Sequence, residues 1–159
     1  MLHNDYDNTL VGGSGVNGLY GYAGNDTIYG NAGADYVHGG EGNDILYGGA
    51  GADYLYGETG ADVFVFENAT AFSGLDTVYD FNKTEGDAIN IADLLWDYDP
   101  MQDAINDFVS LTSSGGNTTL RVDRDGNGGT YSAQNVVTIN SQTWSDVDDM
   151  LTNAHLIIE

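Results

Sequence analysis

Residues 12–65 read GGSGVNGLY GYAGNDTIY GNAGADYVH GGEGNDILY GGAGADYLY GETGADVFV, a nine-residue unit repeated six times without insertion. A short fixed period marks a solenoid of stacked small elements, so it takes precedence over any helix or strand assignment. Position 1 is always glycine, and position 4 is glycine throughout: Gly15, Gly24, Gly33, Gly42, Gly51 and Gly60. Two glycines at fixed offsets mark backbone that is left-handed or otherwise crowded, which is a turn. Position 6 is Asn17 and then Asp26, Asp35, Asp44, Asp53 and Asp62; position 8 is Leu19, Ile28, Val37, Leu46, Leu55 and Phe64. The first six residues of a unit therefore form a turn and the last three a short strand, with position 8 inward and positions 7 and 9 outward. A three-residue strand has no stability alone. With a turn on each side of a flat coil, two units make one revolution, and the inward residues stack in two ladders, Leu19, Val37, Leu55 and Ile28, Leu46, Phe64.

The same eighteen-residue step places Asp26, Asp44 and Asp62 above one another on one edge and Asn17, Asp35 and Asp53 on the other. At a strand spacing of about 4.8 Å, bare carboxylates so stacked repel one another. A cation is needed between them. The turns also aim backbone carbonyls into the same space, and an all-oxygen, anionic nest suits calcium better than zinc or a soft metal. The chain has no cysteine and only three scattered histidines, which excludes thiolate sites and argues against a zinc cluster.

In these features the stretch resembles the GGxGxDxUx nonapeptide repeats of RTX (repeats-in-toxin) proteins, which wind as a calcium-filled parallel β-roll. The resemblance implies that carbonyls of positions 1 and 3 of one turn, and of 2 and 4 of the turn one revolution away, join both position-6 side chains around each ion. Carried onto this chain, one turn offers Gly21, Tyr22, Ala23, Gly24 and Asp26, and the next Gly30, Asn31, Ala32, Gly33 and Asp35. Then come Gly39, Gly40, Glu41, Gly42 and Asp44, followed by Gly48, Gly49, Ala50, Gly51 and Asp53, and last Gly57, Glu58, Thr59, Gly60 and Asp62. The first well-matched pairs are the turns at Gly21 and Gly39, Gly30 and Gly48, and Gly39 and Gly57, and several Ca2+ ions, at least four over the roll, are expected. At the N-terminal edge Asn17 supplies only a neutral oxygen, and Asn8 holds the equivalent place in a degenerate unit from His3 to Val11; weaker or absent sites are expected there. Residues 1–11 read either as the entering edge of the roll, with Leu10 in register with Leu19, or as a solvated tag. An opening Met-Leu on a partial repeat suggests a fragment of a larger protein.

Composition agrees with this reading. Twenty-five acids face three bases, Lys83, Arg121 and Arg124, for a formal charge of -22, which disfavours nucleic acid and anionic membranes as partners. The metal-free chain is expected to repel itself and stay largely unfolded, so that calcium binding and folding are one equilibrium. No stretch is apolar enough to insert in a bilayer, and no secretory leader pattern opens the chain. Outward aromatics, Tyr20, Tyr29, Tyr47 and Tyr56 at position 9 and Tyr36 and Tyr54 at position 7, run in rows. They read as cross-strand stacking or as a platform for glycans.

After Phe66 the period ends. In DTVYDFNKTEGDAINI, Val78, Phe81, Ile89 and Ile91 mark short alternating strands. Asp76 and Asp80 are either a calcium site closing the roll, with Asp76 the favoured ligand, or ordinary strand ends; Asp87 follows a glycine turn. Residues 92–96 read as one helical turn, and Asp99-Pro100 as the start of a helix carrying Met101, Ile105 and Phe108. Ser110-Leu111 and 118–122 read as strands about the turn 113–116, and 135–139 as another. In DRDGNGG, Asp123, Asp125 and Asn127 alternate, but Gly126 comes too early for a full calcium loop, which leaves a polar hairpin turn or a calcium site. Thr143 with Asp146 resembles a helix cap before Val147, Met150 and Leu151, and Leu156-Ile157-Ile158 reads as a closing strand or helix exit.

The whole is expected to be all-β: a calcium-bound parallel β-roll solenoid over 1–66, and a β-rich capping region with short helices over 67–159. The second region also resembles the C-terminal target region of adhesins and other RTX proteins exported by type I secretion. That resemblance implies a bacterial, secreted or cell-surface protein that meets the type I machinery during export. No Ser-His-acid set, H-E-x-x-H helix or dinucleotide fingerprint is present, and the repeated carboxylates read as metal ligands rather than a glycosidase pair, so the chain is not read as an enzyme. The competing class is a carbohydrate-positioning module of an extracellular polysaccharide-modifying enzyme, similar to the repeat modules of alginate epimerases.

Overall fold

A computed structural model describes residues 4–67, 70–95, 98, 103–124, 126 and 132–158. Short strands alternate between two sheets: β1 (Thr9–Val11), β2 (Gly18–Ala23), β3 (Thr27–Tyr29), β4 (Tyr36–Glu41), β5 (Ile45–Tyr47), β6 (Tyr54–Thr59) and β7 (Val63–Val65). Successive odd strands pair in parallel, and so do successive even ones, each eighteen residues on. This is the roll the period demands. The strands on one side run from position 7 through position 3 of the next unit, so they are twice the three residues that the sequence pattern suggests.

The roll does not stop at Phe66. β8 (Asp76–Val78) and β9 (Ala88–Asn90) extend the two sheets in parallel, Leu55 pairing with Val78 and Phe64 with Ile89. Residues 71–79, AFSGLDTVY, and 82–90, NKTEGDAIN, thus act as two more units. The period is hidden because Asp76 follows Asp53 by 23 residues and Asp87 follows Asp62 by 25. The extra residues lie between the strands, and the inward residue of each strand stays in register.

A 3-10 turn at Ala92–Leu94 and one helical turn, α1 (Ile105–Phe108), lead to β10 (Val109–Ser114), β11 (Asn117–Val122) and β12 (Gln134–Ile139). The β10–β11 hairpin turns at Gly115 and Gly116, both at positive φ, as a tight two-residue hairpin requires. β12 lies between antiparallel β11 and parallel β8, joining this ribbon to the roll. α2 (Val147–Thr152) follows, and β13 (Leu156–Ile157) adds to β9. The sheets are therefore six strands, β1-β3-β5-β7-β9-β13, and seven, β10-β11-β12-β8-β6-β4-β2.

Two local expectations change. α1 begins after Ala104, with no side-chain cap, so it is not a continuation of a helix begun at Asp99-Pro100; residues 99–102, Trp96, Asp125 and Asn127 lie outside the described residues. α2 is capped by Asp146, whose side chain accepts from Asp149 N, because Thr143 sits too far upstream. Between the sheets run the two expected ladders, longer than expected: Leu10, Ile28, Leu46, Phe64, Ile89, Leu156 and Leu19, Val37, Leu55, Val78, Ile139. Leu10 opens the first ladder, as part of the entering edge of the roll. From Ile28 and Val37 onward these residues are buried. Phe81, Trp144 and His155 pack edge-to-face at the end of the core.

Candidate metal centre

Each position-6 carboxylate divides its two oxygens. Oδ1 accepts the N–H of the position-6 residue one revolution earlier: Asn8 to Asp26, Asp26 to Asp44 (2.7 Å each) and Asp44 to Asp62 (2.9 Å) on one edge. On the other edge Asn17 N donates to Asp35 (2.7 Å) and Asp35 N to Asp53 (2.8 Å). Oδ2 of Asp26, Asp35, Asp44, Asp53 and Asp62 is buried and has no hydrogen-bond partner. These residues are at most 1 % exposed. An anionic oxygen so placed is costly unless a cation compensates it.

The backbone completes the picture. A Cβ built on Gly21 would collide with Asp26 Oδ2 and Gly39 O, one on Gly30 with Gly48 O and Asp35 Oδ2, and one on Gly39 with Asp44 Oδ2 and Gly57 O. The position-1 glycines are therefore needed for space; a methyl there would fill the cradle. Carbonyls of positions 2 and 4 face the following turn, since a Cβ on Gly40 would meet Tyr22 O, on Gly42 Gly24 O, on Gly49 Asn31 O, on Gly51 Gly33 O and on Gly60 Gly42 O. Position-3 carbonyls already accept one N–H each, Glu41 from Gly24, Ala50 from Gly33 and Thr59 from Gly42. Ala23 pairs with Glu41 and Ala32 bridges Ala50 across the same edges. Carboxylate and carbonyl oxygens thus converge between the turns 21–26 and 39–44, 30–35 and 48–53, and 39–44 and 57–62. Among the described residues no three acidic or histidine side chains form a metal cluster, so most donors in these nests are main-chain oxygens, the hard ligand set that calcium takes.

Asn17 behaves differently. Its Oδ1 accepts Gly13 N of its own turn (2.6 Å), so this neutral oxygen is already engaged. At the other end Asp76 Oδ1 accepts Asp53 N (2.8 Å), and Asp87 accepts from Asp62 N (3.0 Å) and Asn82 N (2.8 Å). Asp80 takes the N–H groups of Gly57 and Glu58 (3.0 Å each). In the metal-free state burial, with the neighbouring carboxylates adding to it, pushes the carboxyl of Asp44 up to about 6, Asp62 to about 7 and Asp76 to about 8. Burial likewise raises Asp53, Asp80 and Asp87.

Position 2 escaped the sequence reading. It is left-handed in Tyr22 (φ 80), Asn31 (φ 73) and Glu58 (φ 71) as in Gly40 and Gly49. Glycine at 13, 40 and 49 was the available signal, blurred because the other units carry larger residues.

The tyrosine rows are cross-strand stacks. Tyr20, His38, Tyr56 and Tyr79 lie face to face at centroid distances of 4.8, 4.5 and 5.0 Å, Tyr36 and Tyr54 at 4.8 Å, and Tyr29 and Tyr47 at 4.5 Å. His38 takes the place of a tyrosine at position 9 of its unit, and its Nδ1 lies 3.0 Å from Glu58 Oε1. Each ring gives one face or more to a neighbour, and Tyr20 and Tyr36, at the first rung of their rows, remain exposed.

The family described as RTX calcium-binding nonapeptide repeat (4 copies) matches residues 4–37 and 29–64. Residues 4–64 are an RTX repeat array. Calcium is the cofactor of this RTX roll, at multiple sites. Among solved structures, the solution structure of the AlgE6R2 subunit from the Azotobacter vinelandii mannuronan C5-epimerase is similar at 26 % identity, over 84 % of each chain, with a TM-score of 0.57. The AlgE6R3 subunit of the same enzyme aligns at 24 % identity over 96 % of this chain and 76 % of that one, with a TM-score of 0.34. No curated protein matches the chain.

Proposed function

We propose that the chain is a calcium-dependent folding and type I export module of a large extracellular bacterial RTX protein, an adhesin in the first instance, and has no catalytic role of its own. The observation that carries this reading is the double row of buried, partnerless Oδ2 atoms, which makes the folded roll depend on an external cation. The ion ligands are proposed to be the carboxylates and carbonyls of the paired turns named above, with Asn17 marginal. Cytosolic calcium is too scarce to fill extracellular-type sites, which bind at about 10⁻⁴ to 10⁻³ M, so the chain stays threadable inside and folds outside. Residues 67–159, which add β8 and β9 to the end of the roll, serve as a region recognised while unfolded and capping once folded. No helix among the described residues is long and apolar enough to cross a membrane.

Secretion of a passenger fused to the chain, with and without residues 140–159, tests the export role. Export is expected to fall when the tail is removed; undiminished export would refute the signal assignment.

A second reading, a carbohydrate-positioning module of a polysaccharide-modifying enzyme, is favoured by the likeness to an epimerase subunit. The stacking of the tyrosines on one another accounts for the rows without a ligand. Titration with neutral and anionic oligosaccharides in excess calcium separates the two readings: saturable binding supports the second, and none supports the first.

A further inference from the structure

On the six-stranded sheet the position-9 row runs Tyr29, Tyr47, Val65. Tyr29 and Tyr47 stack at 4.5 Å, but the third rung is a small side chain, so among the described residues no ring lies against the second face of Tyr47. Just after that rung the chain carries its first insertion, since Asp76 follows Asp53 by 23 residues where the repeat steps by 18. The N–H groups of Thr70 and Ala71 both donate to Glu67 O (3.0 and 2.9 Å), which brings the inserted segment back beside Glu67. The outcome is a groove of about 310 Å³, lined by Tyr29, Tyr47, Glu67 and Thr70 together with positions 2 and 3 of the turns 30–35 and 48–53. That volume is at the small end of ligand sites. Asp35 and Asp53 do not line it, so it is separate from the calcium nest of those turns.

The lining decides what fits. Two phenol rings and the methyl groups of Ala32 and Ala50 make it largely apolar, and its one ionised group is the carboxylate of Glu67, an exposed residue. Burial raises the phenol of Tyr47, and Tyr29 and Glu67 add to the shift, so the field of that carboxylate reaches the ring. None of the bases Lys83, Arg121 and Arg124 lines the groove, and a chain of formal charge -22 repels anions from it. An aromatic ring and a carboxylate in one apolar groove suit a cation whose charge is wrapped in methyl groups. From this we infer a small-molecule site for a quaternary ammonium compound, its charge set against Glu67 and Tyr47 and its methyl groups against Ala32 and Ala50. The inference goes beyond the export reading and rests on the calcium roll only because the turns of the roll shape the groove.

The test is calorimetric titration of the calcium-saturated full chain with choline at physiological salt, beside dimethylbutanol as its uncharged carbon isostere, glucose and glucuronate. Saturable choline binding is expected at about 1–10 mM, with the isostere weaker by about tenfold or more. Glu67→Gln and Tyr47→Leu should each weaken choline by about tenfold, with the circular dichroism in calcium unchanged. Should Tyr47→Leu fail to fold, the amide shifts that choline causes in the unaltered chain decide: they are expected at Gly49, Ala50 and Thr70, and shifts confined to other residues overturn the site. No saturable choline binding, equal binding of the isostere, or an unaffected Glu67→Gln also overturns it and leaves the calcium roll standing. Glucose or glucuronate bound in preference to choline overturns the cation and assigns the groove to sugars. A chain that stays unfolded in saturating calcium overturns instead the roll on which the site rests.

Discussion

At the residue scale, the roll is governed by what glycine lacks and what aspartate carries. Position 4 combines positive φ with a carbonyl packed where a side chain would begin, as at Gly42 (φ 133) over Gly24 O. Gly42→Ala is therefore expected to lower the stability of the calcium-loaded chain by about 2 kcal/mol or more, since a left-handed alanine alone costs about 1–2 kcal/mol. Denaturant melts in saturating calcium measure it, and an unchanged midpoint would show that the turn relaxes freely. The aspartates make the metal-free state respond to acid. Asp44, Asp62 and Asp76 have folded-state values raised from 3.8 to about 6, 7 and 8, so their contribution to metal-free stability is fully present below about pH 4 and is lost as pH rises through 6 to 8. Acidifying the chelator-treated chain from pH 8 to 4 should thus increase its β content by circular dichroism, while calcium affinity falls over the same interval because protons compete for the same oxygens. Loss of β content on acidification in chelator would contradict the assignment.

At the element scale, no strand of the roll is longer than six residues, and each depends on its neighbours for a buried face. Leu156 shows how far this extends: it is 4 % exposed and packs in register with Ile89 as the last rung of an inward ladder. Leu156→Ala should cost about 2–5 kcal/mol, as for other buried leucines, read from the thermal midpoint in calcium. A change within a few tenths of a kcal/mol would mean that β13 is a loosely held tail. The core of the roll was legible because nine-residue spacing fixes Ile28, Val37, Leu46, Leu55 and Phe64 on inward positions without knowledge of anything distant. Val78 and Ile89 were recognisable as strand residues, but their place in the same ladders was not, because the turns before them carry extra residues. The cap of α2 was misplaced because Thr143 offered only local propensity, whereas Asp146 is the residue whose side chain accepts from Asp149 N at the helix start.

At the scale of the whole molecule, sequence reasoning located the two acidic edges, because a fixed period converts directly into spatial columns. It could not show that each aspartate commits one oxygen to a backbone N–H and leaves the other without a partner, which is a property of the wound coil. Nor could it show that the cap extends both sheets of the roll, with β8 and β9 stacked on its last coil and β12 and β13 beside them. In a chain with a formal charge of -22 and five buried, partnerless carboxylate oxygens in two columns, binding cations during folding compensates the charge that is otherwise relieved only by protonation. The most direct measurement is a calcium titration of the chelator-stripped full chain at neutral pH, followed simultaneously by far-UV circular dichroism and hydrodynamic radius. The account predicts an expanded chain with little β signal at the start, and a single reversible transition in which compaction, β signal and ion uptake share one midpoint. A compact, cooperatively melting β fold already present in chelator, with calcium binding afterwards and changing neither signal, would contradict it.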